Sequence, residues 1–126
     1  MKVVKISSAK TEEPIGNLFK GEVRLQRIVD EKMAKDLRVT AVTFSPGARN
    51  VLHTHTFAQV LYVIDGFGIV ATKSEQYVVT SGTVIFIPPG EPHLHGATPD
   101  APFSHISVTM GDGQTVALND MSASVV

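Results

Sequence analysis

The sequence predicts an all-β fold, a sandwich or small barrel, and three observations predict it. Short segments rich in Val, Ile, Phe, Thr and Tyr recur along the chain. Gly, Pro, Asp and Asn separate them at short intervals. Helical periodicity is scarce, so nothing competes with the strands. Many short strands with frequent turns are the signature of a sheet folded onto itself.

The segments follow in order. The stretch 3–6 (VVKI) reads as a first strand, although the first 20 residues are otherwise polar and carry Pro14 and Gly16. Residues 1–20 therefore read as an N-terminal arm that pairs with a neighbouring sheet or subunit. Strands are expected at 22–29 and 38–44, both rich in β-branched residues. The turn "SPGA" (45–48) leads into a strand at 51–55, and 59–65 follows. "DGFG" (65–68) reads as a hairpin-like turn in which Gly66 takes positive φ, and 69–72 is the returning strand. Strands at 76–80 and 84–87 flank "SG" (81–82). "PPGE" (88–91) sets a turn before 93–96, and 104–109 is the last expected strand. The tail "LNDMSASVV" reads as a short helical turn or as disordered chain. No repeat or linker interrupts the 126 residues, so 1–126 is read as one domain.

Composition narrows the function. The formal net charge is −1, and neither basic runs nor basic faces occur, which argues against nucleic acid and anionic membranes as partners. No cysteine is present, which excludes disulfides and thiolate metal sites. No apolar run reaches transmembrane length, and the start "MKVVKISSAK" has no apolar stretch of signal-peptide length. A cytoplasmic protein is the default expectation.

The chemistry lies in the histidines. All five fall between residues 53 and 105, and four form two H-x-H pairs. Side chains alternate across a strand, so His53 and His55 share a face, as do His93 and His95. Imidazoles at i and i+2, joined by a third from another strand, form a set for a divalent metal such as Zn, Cu, Fe or Ni, and an oxygen ligand widens the choice toward Mn. A lone strand histidine is more often a hydrogen-bonded core or surface residue, but two such pairs in one small β chain favour metal. Gln59 can add an amide oxygen as a fourth ligand, or be an ordinary polar residue at a strand start.

These spacings resemble the cupin superfamily. Its first motif, G-x5-H-x-H-x3,4-E-x6-G, is matched by Gly47, His53, His55, Gln59 and Gly66, with Gln in place of Glu. Its second, G-x5-P-x-G-x2-H-x3-N, is matched by Gly82, Pro88, Gly90 and His93, with Ala97 in place of Asn. Together the motifs span 47–97. The resemblance implies a cupin double-stranded β-helix, or jelly-roll barrel, with a metal bound inside by His53, His55, Gln59 and His93. Gln in place of Glu leaves the ligand set neutral, which makes the metal more electrophilic and binds it less tightly.

A subgroup resemblance is visible as well. "VTFSPGARNVLHTHTFAQVLYVIDGFG" and "PPGEPHLHGATPDAPFSHISV" look like the manganese-dependent cupin hydroxynitrile lyases. That resemblance implies a divalent metal, Mn favoured, with Fe, Zn and Ni also compatible. It implies His105 as general base, His95 as a substrate-facing residue or one that orients His93, and Thr40 on the pocket wall. The opposing reading of His105 is a core histidine bonded to backbone. Phe44, Leu61 and Phe103 are expected to line the substrate pocket, with Leu52, Phe57, Phe67, Phe86 and Leu94 as further apolar wall. Arg49 reads as a solvated arginine rather than an anion anchor. A small, mostly apolar substrate with one or two oxygen groups fits such a cavity. Three functions stay open: a Lewis-acid lyase, an oxygen-activating Fe or Mn oxidoreductase, and a non-catalytic small-molecule binder. Cupins of this size commonly dimerise, so a homodimer is expected.

Overall fold

The structure, a computed structural model, describes residues 1–111 and 113–118. Eleven strands are present among them: β1 (Phe19–Lys20), β2 (Val23–Val29), β3 (Leu37–Phe44), β4 (Arg49–Asn50), β5 (His53–His55), β6 (Gln59–Thr72), β7 (Gln76–Thr80), β8 (Val84–Ile87), β9 (His93–Ala97), β10 (Phe103–Met110) and β11 (Thr115–Ala117). The all-β expectation holds. The tail 119–126 lies outside the described residues.

One strand organises the barrel. β6 runs for 14 residues and belongs to both sheets. Its first half pairs with β10 and β8, from Gln59 opposite Thr109 and Ile87 onward. Its second half pairs with β7 and β9, ending with Thr72 opposite His93. β3 and β2 extend the first sheet beyond β10, and β4 and β1 extend the second beyond β9. The strand passes between sheets at Gly66, whose φ is +73°. A Cβ there would lie 2.2 Å from the Pro102 carbonyl oxygen, so only glycine fits. The expected "DGFG" hairpin is thus a bend inside a continuous strand. Local composition is the same in both cases; it is the pairing of both halves with other strands that keeps the chain extended.

Two other expectations are corrected, and the N-terminal arm finds its neighbouring sheet within its own chain. Residues 3–6 form no strand; a 3-10 turn at Ile6–Ser8 follows them, and Val3 is exposed. The arm lies along β2 of its own chain: Gln26 Nε2 donates to the carbonyl oxygens of Ile6 (2.7 Å) and Ala9 (3.2 Å), and Glu12 forms a β-bridge with Leu25. That contact covers what would otherwise be an open sheet edge. Of the single expected strand at 51–55 only His53–His55 is one (β5); β4 at Arg49–Asn50 precedes it, and β11 beyond the last expected strand pairs with β5.

The inward-facing residues grade from apolar to polar along each strand. On β10 they read Phe103, His105, Ser107, Thr109, and their partners on β3 read Phe44, Val42, Thr40, Arg38. Phe44 and Phe103 are fully buried and stack with ring centroids 5.9 Å apart. With Leu61, Val63 and Ile87 they belong to one core cluster. Alternation keeps Tyr62 outside while Leu61 and Val63 go in. Burying residues such as Phe44 stabilises the fold by roughly 2–3 kcal/mol each. The other end, where Thr, Ser, Arg and Gln replace the aromatics, is open to a cavity.

Candidate metal centre and imidazole pair

β5 and β9 run antiparallel with His53 directly opposite His93. His55, two residues along β5, points the same way by alternation. The three imidazoles offer ligand nitrogens that all lie within 4.8 Å of one another. Each ring is oriented by a bond at Nδ1. His53 Nδ1–H donates to the Val51 carbonyl (2.7 Å), and His93 Nδ1–H donates to the Glu91 carbonyl (2.8 Å). His55 Nδ1 is 2.8 Å from Thr115 Oγ1. The two carbonyl bonds leave Nε2 of His53 and His93 carrying the lone pair, which is how metal-binding histidines are held, and the Thr115 hydroxyl orients the His55 ring.

Gln59, at the start of β6, enters the same space. Its Nε2 donates to Ser107 Oγ (2.8 Å), which turns Oε1 toward His93 Nε2 at 3.3 Å. Since His93 carries its proton on Nδ1, two lone-pair atoms face each other without a proton between them. His55 Nε2 is buried without a hydrogen-bond partner among the described residues. A divalent cation satisfies all of these atoms at once, so the residues fit the metal expected of them.

Electrostatics agree with the geometry. Burial pushes His53 down to about 3, and the His93 charge acts in the same direction. Burial and His93 push His55 down to about 4, while its contact with Gln59 opposes the shift. Burial lowers His93 too. The three rings are therefore neutral at pH 7, the form that binds metal.

His95 and His105 form a second cluster. His105 Nε2 and His95 Nδ1 are 3.0 Å apart, and both side chains are almost fully buried. Burial, joined by the His105 charge, holds His95 well below the usual imidazole range, and burial brings His105 to about 3. Asn50 on β4, only 1% exposed, spans the pair from the other side. Its Oδ1 accepts the His95 backbone N–H (2.9 Å), and its Nδ2 lies 3.0 Å from His95 Nε2.

His53 and His55 of the first cluster and both rings of the second line one cavity of about 260 Å³, a size suited to a small substrate. Thr40, Phe57, Gln59, Ser107 and Thr115 are on its wall, with Arg27 among the lining residues as well. Phe44, Leu61 and Phe103 are not; they belong to the core beneath it. They were expected in the pocket because they share the inward face with the site residues, but Phe44 and Phe103 sit at the apolar end of β3 and β10, and Leu61, opposite Ser107, is fully buried in the core cluster. Phe44 and Phe103 still touch the site, with ring centroids 5.6 and 5.5 Å from that of His105. Of the further residues expected on the wall, Leu52 and Leu94 pack in a separate small core cluster, while Phe67 and Phe86 are exposed. Arg49 is half-buried on β4, not a solvated surface residue. Asn50, Ser107 and Thr115 were not singled out from sequence; each is a common polar residue type whose role depends on a partner 45 to 60 positions away.

The fold and the two imidazole clusters define a small β-helical barrel with a metal-type histidine site at its open end. The comparisons agree. The family model of the cupin domain matches residues 40–109, more than half the chain, and the protein belongs to the cupin family. It is 29% identical over 109 residues to the (R)-mandelonitrile lyase of Granulicella tundricola, covering 86% of this chain and 83% of that one. A cupin-like protein from Thermotoga maritima superposes with a TM-score of 0.81 at 27% identity, covering 95% of this chain and 90% of the other. The polyketide cyclase RemF of Streptomyces resistomycificus superposes at 0.86 with 23% identity over 97% and 89%, a likeness of fold alone. Among the described residues, no helix is long and apolar enough to cross a membrane.

Proposed function

We propose that the protein is a metal-dependent lyase of the hydroxynitrile type. It makes and breaks the carbon–carbon bond of a small, mostly apolar cyanohydrin, with Mn as the favoured cation, and works as a cytoplasmic homodimer. The observation that carries this reading is the presence of two separate imidazole clusters on one cavity, one arranged to hold a cation and one arranged to hold a proton. The 29% identity to an (R)-mandelonitrile lyase across most of both chains supports the same chemistry.

His53, His55, His93 and Gln59 would hold the cation, which when bound supplies Lewis acidity toward the substrate oxygen. The chain's own residues do the rest. The His95–His105 pair takes the hydroxyl proton of the cyanohydrin. The bond to the nitrile carbon breaks, its electron pair leaves on cyanide, and the aldehyde remains. The pair then returns the proton to cyanide. No electron is transferred, so oxygen is not consumed. Phe57, stacked on His55 with centroids 4.8 Å apart, and Thr40 bound the space for the aldehyde side chain.

The test is mandelonitrile cleavage by protein of measured metal content, in air and under nitrogen, for wild type and His105→Ala. Equal cleavage in both gases, strongly reduced in His105→Ala, is expected. A strict need for oxygen, or no cleavage by metal-loaded protein in either gas, overturns the reading.

A further inference from the structure

Alternation gives the first sheet an outer set of side chains, and these are apolar too. Val60 lies opposite Phe86 on one flank and opposite Val108 on the other, and Val108 lies opposite Val39. One row along, Tyr62 sits between Val84 and Ile106. Residues in register project to the same side, so the two rows form one face across β8, β6, β10 and β3. No outward position of β3, β8, β10 or the first half of β6 is charged. An antiparallel sheet with its core on one side normally turns polar residues to water on the other. Here Phe86 is 64% exposed, Val84 61% and Tyr62 46%. The chain's own arm lies over this sheet at the β2 margin, where Gln26, opposite Ala41, holds the Ile6 and Ala9 carbonyls. It leaves the β8 and β6 side bare.

We infer that this outer face is the surface on which a second copy of the chain packs. Its exposed apolar area is on the order of 600 Å², the upper end of what a monomer leaves bare. Two such faces brought together bury about 1,200 Å², enough for a stable interface. A face without charge offers a charged partner nothing to select, but it complements itself. Under a two-fold axis each copy supplies the apolar surface the other lacks. Sheets stack in this way about 10 Å apart, with strand directions within about 30° of each other. The inference rests on the homodimer of the proposed function and deepens it by assigning the face. The lyase chemistry, on the inner side of the same sheet, is independent of it.

Sedimentation of the full-length protein over a range of concentrations tests it. Wild type should run at twice the 13.5 kDa chain mass. Phe86→Asp places a charge in the interface twice over, once from each copy, and should raise the dimer dissociation constant at least about a hundredfold. Val84→Asp should do the same, so the test does not depend on one variant folding. Both should bind metal as wild type does, because these side chains point away from the cavity. Val78→Asp is the matched comparison: Val78 is 66% exposed, but on β7 of the other sheet, opposite Ile69. It should remain a dimer. A dimeric wild type whose folded Phe86→Asp and Val84→Asp variants dimerise equally well overturns the assigned face and leaves the homodimer standing. Dissociation by Val78→Asp alone overturns it in the same way. A wild type that is monomeric at every concentration overturns both. None of these results bears on mandelonitrile cleavage, so the lyase reading fails or stands separately.

Discussion

The His53–His55–His93 cluster and the His95–His105 pair use the same side chain, lie against the same cavity and are both desolvated, yet they are built for different chemistry. In the first, Nδ1 of each ring is tied to a carbonyl or a threonine, and the Nε2 atoms gather around a common point with Gln59 Oε1. In the second, nitrogen meets nitrogen, so a proton is shared rather than a cation held. What an imidazole does is decided less by its burial than by the partner of its other nitrogen.

The sharpest way to break this comparison is to remove one member of each cluster. His53→Ala should reduce bound metal from about one per chain to a small fraction and cleavage by at least about a thousandfold, since the Lewis acid is lost. His105→Ala should retain its metal and lose roughly a hundredfold or more in kcat. Mass-spectrometric metal content beside kinetics on both variants decides it. If His105→Ala also lost its metal, the two clusters would not be independent.

Acid should next expose what the clusters share. His53 and His105 both have folded-state values near 3, below the 6.5 of an unfolded chain. The unfolded state therefore binds protons first as pH falls. Stability is complete above about 6.5 and declines toward pH 3, by about 2 kcal/mol per such histidine at pH 5. Urea unfolding of the metal-free protein at pH 7 and pH 5 measures this. Equal midpoints at the two pH values would show that these rings are not held neutral by the fold.

The smallest effect concerns the cation cluster alone. Thr115→Val removes the hydroxyl that orients His55 while keeping its shape. Metal affinity should weaken about tenfold, with the proton-sharing pair untouched. Calorimetric titration with Mn and Zn would show it, and unchanged affinity would mean that the β11 contact does not tune His55.

Several features were legible because they are local. Period-two alternation put His53 with His55 on one face, and the motif spacing placed Gln59 and His93 beside them in the cupin scheme. β3 and β10 were readable from their β-branched runs. The bend at Gly66 was not, because the same four residues make a hairpin when the chain turns back and a corner when both halves find other partners. The depth of the pocket was not readable either. Phe44 and Phe103 share the inward parity of Thr40 and Gln59, and parity says nothing about position along the barrel axis.

The sequence by itself determined most of the longer strands, the cupin family and the side chains available to bind a cation, since these depend on periodicity and on spacings within about 50 residues. Tertiary structure alone decided which nitrogen each histidine presents. That choice depends on contacts such as Thr115 reaching His55 across 60 positions, and Ser107 turns the Gln59 amide in the same way across 48. A hydrogen bond is satisfied only at about 3 Å, and only the closed barrel brings such distant residues within that range.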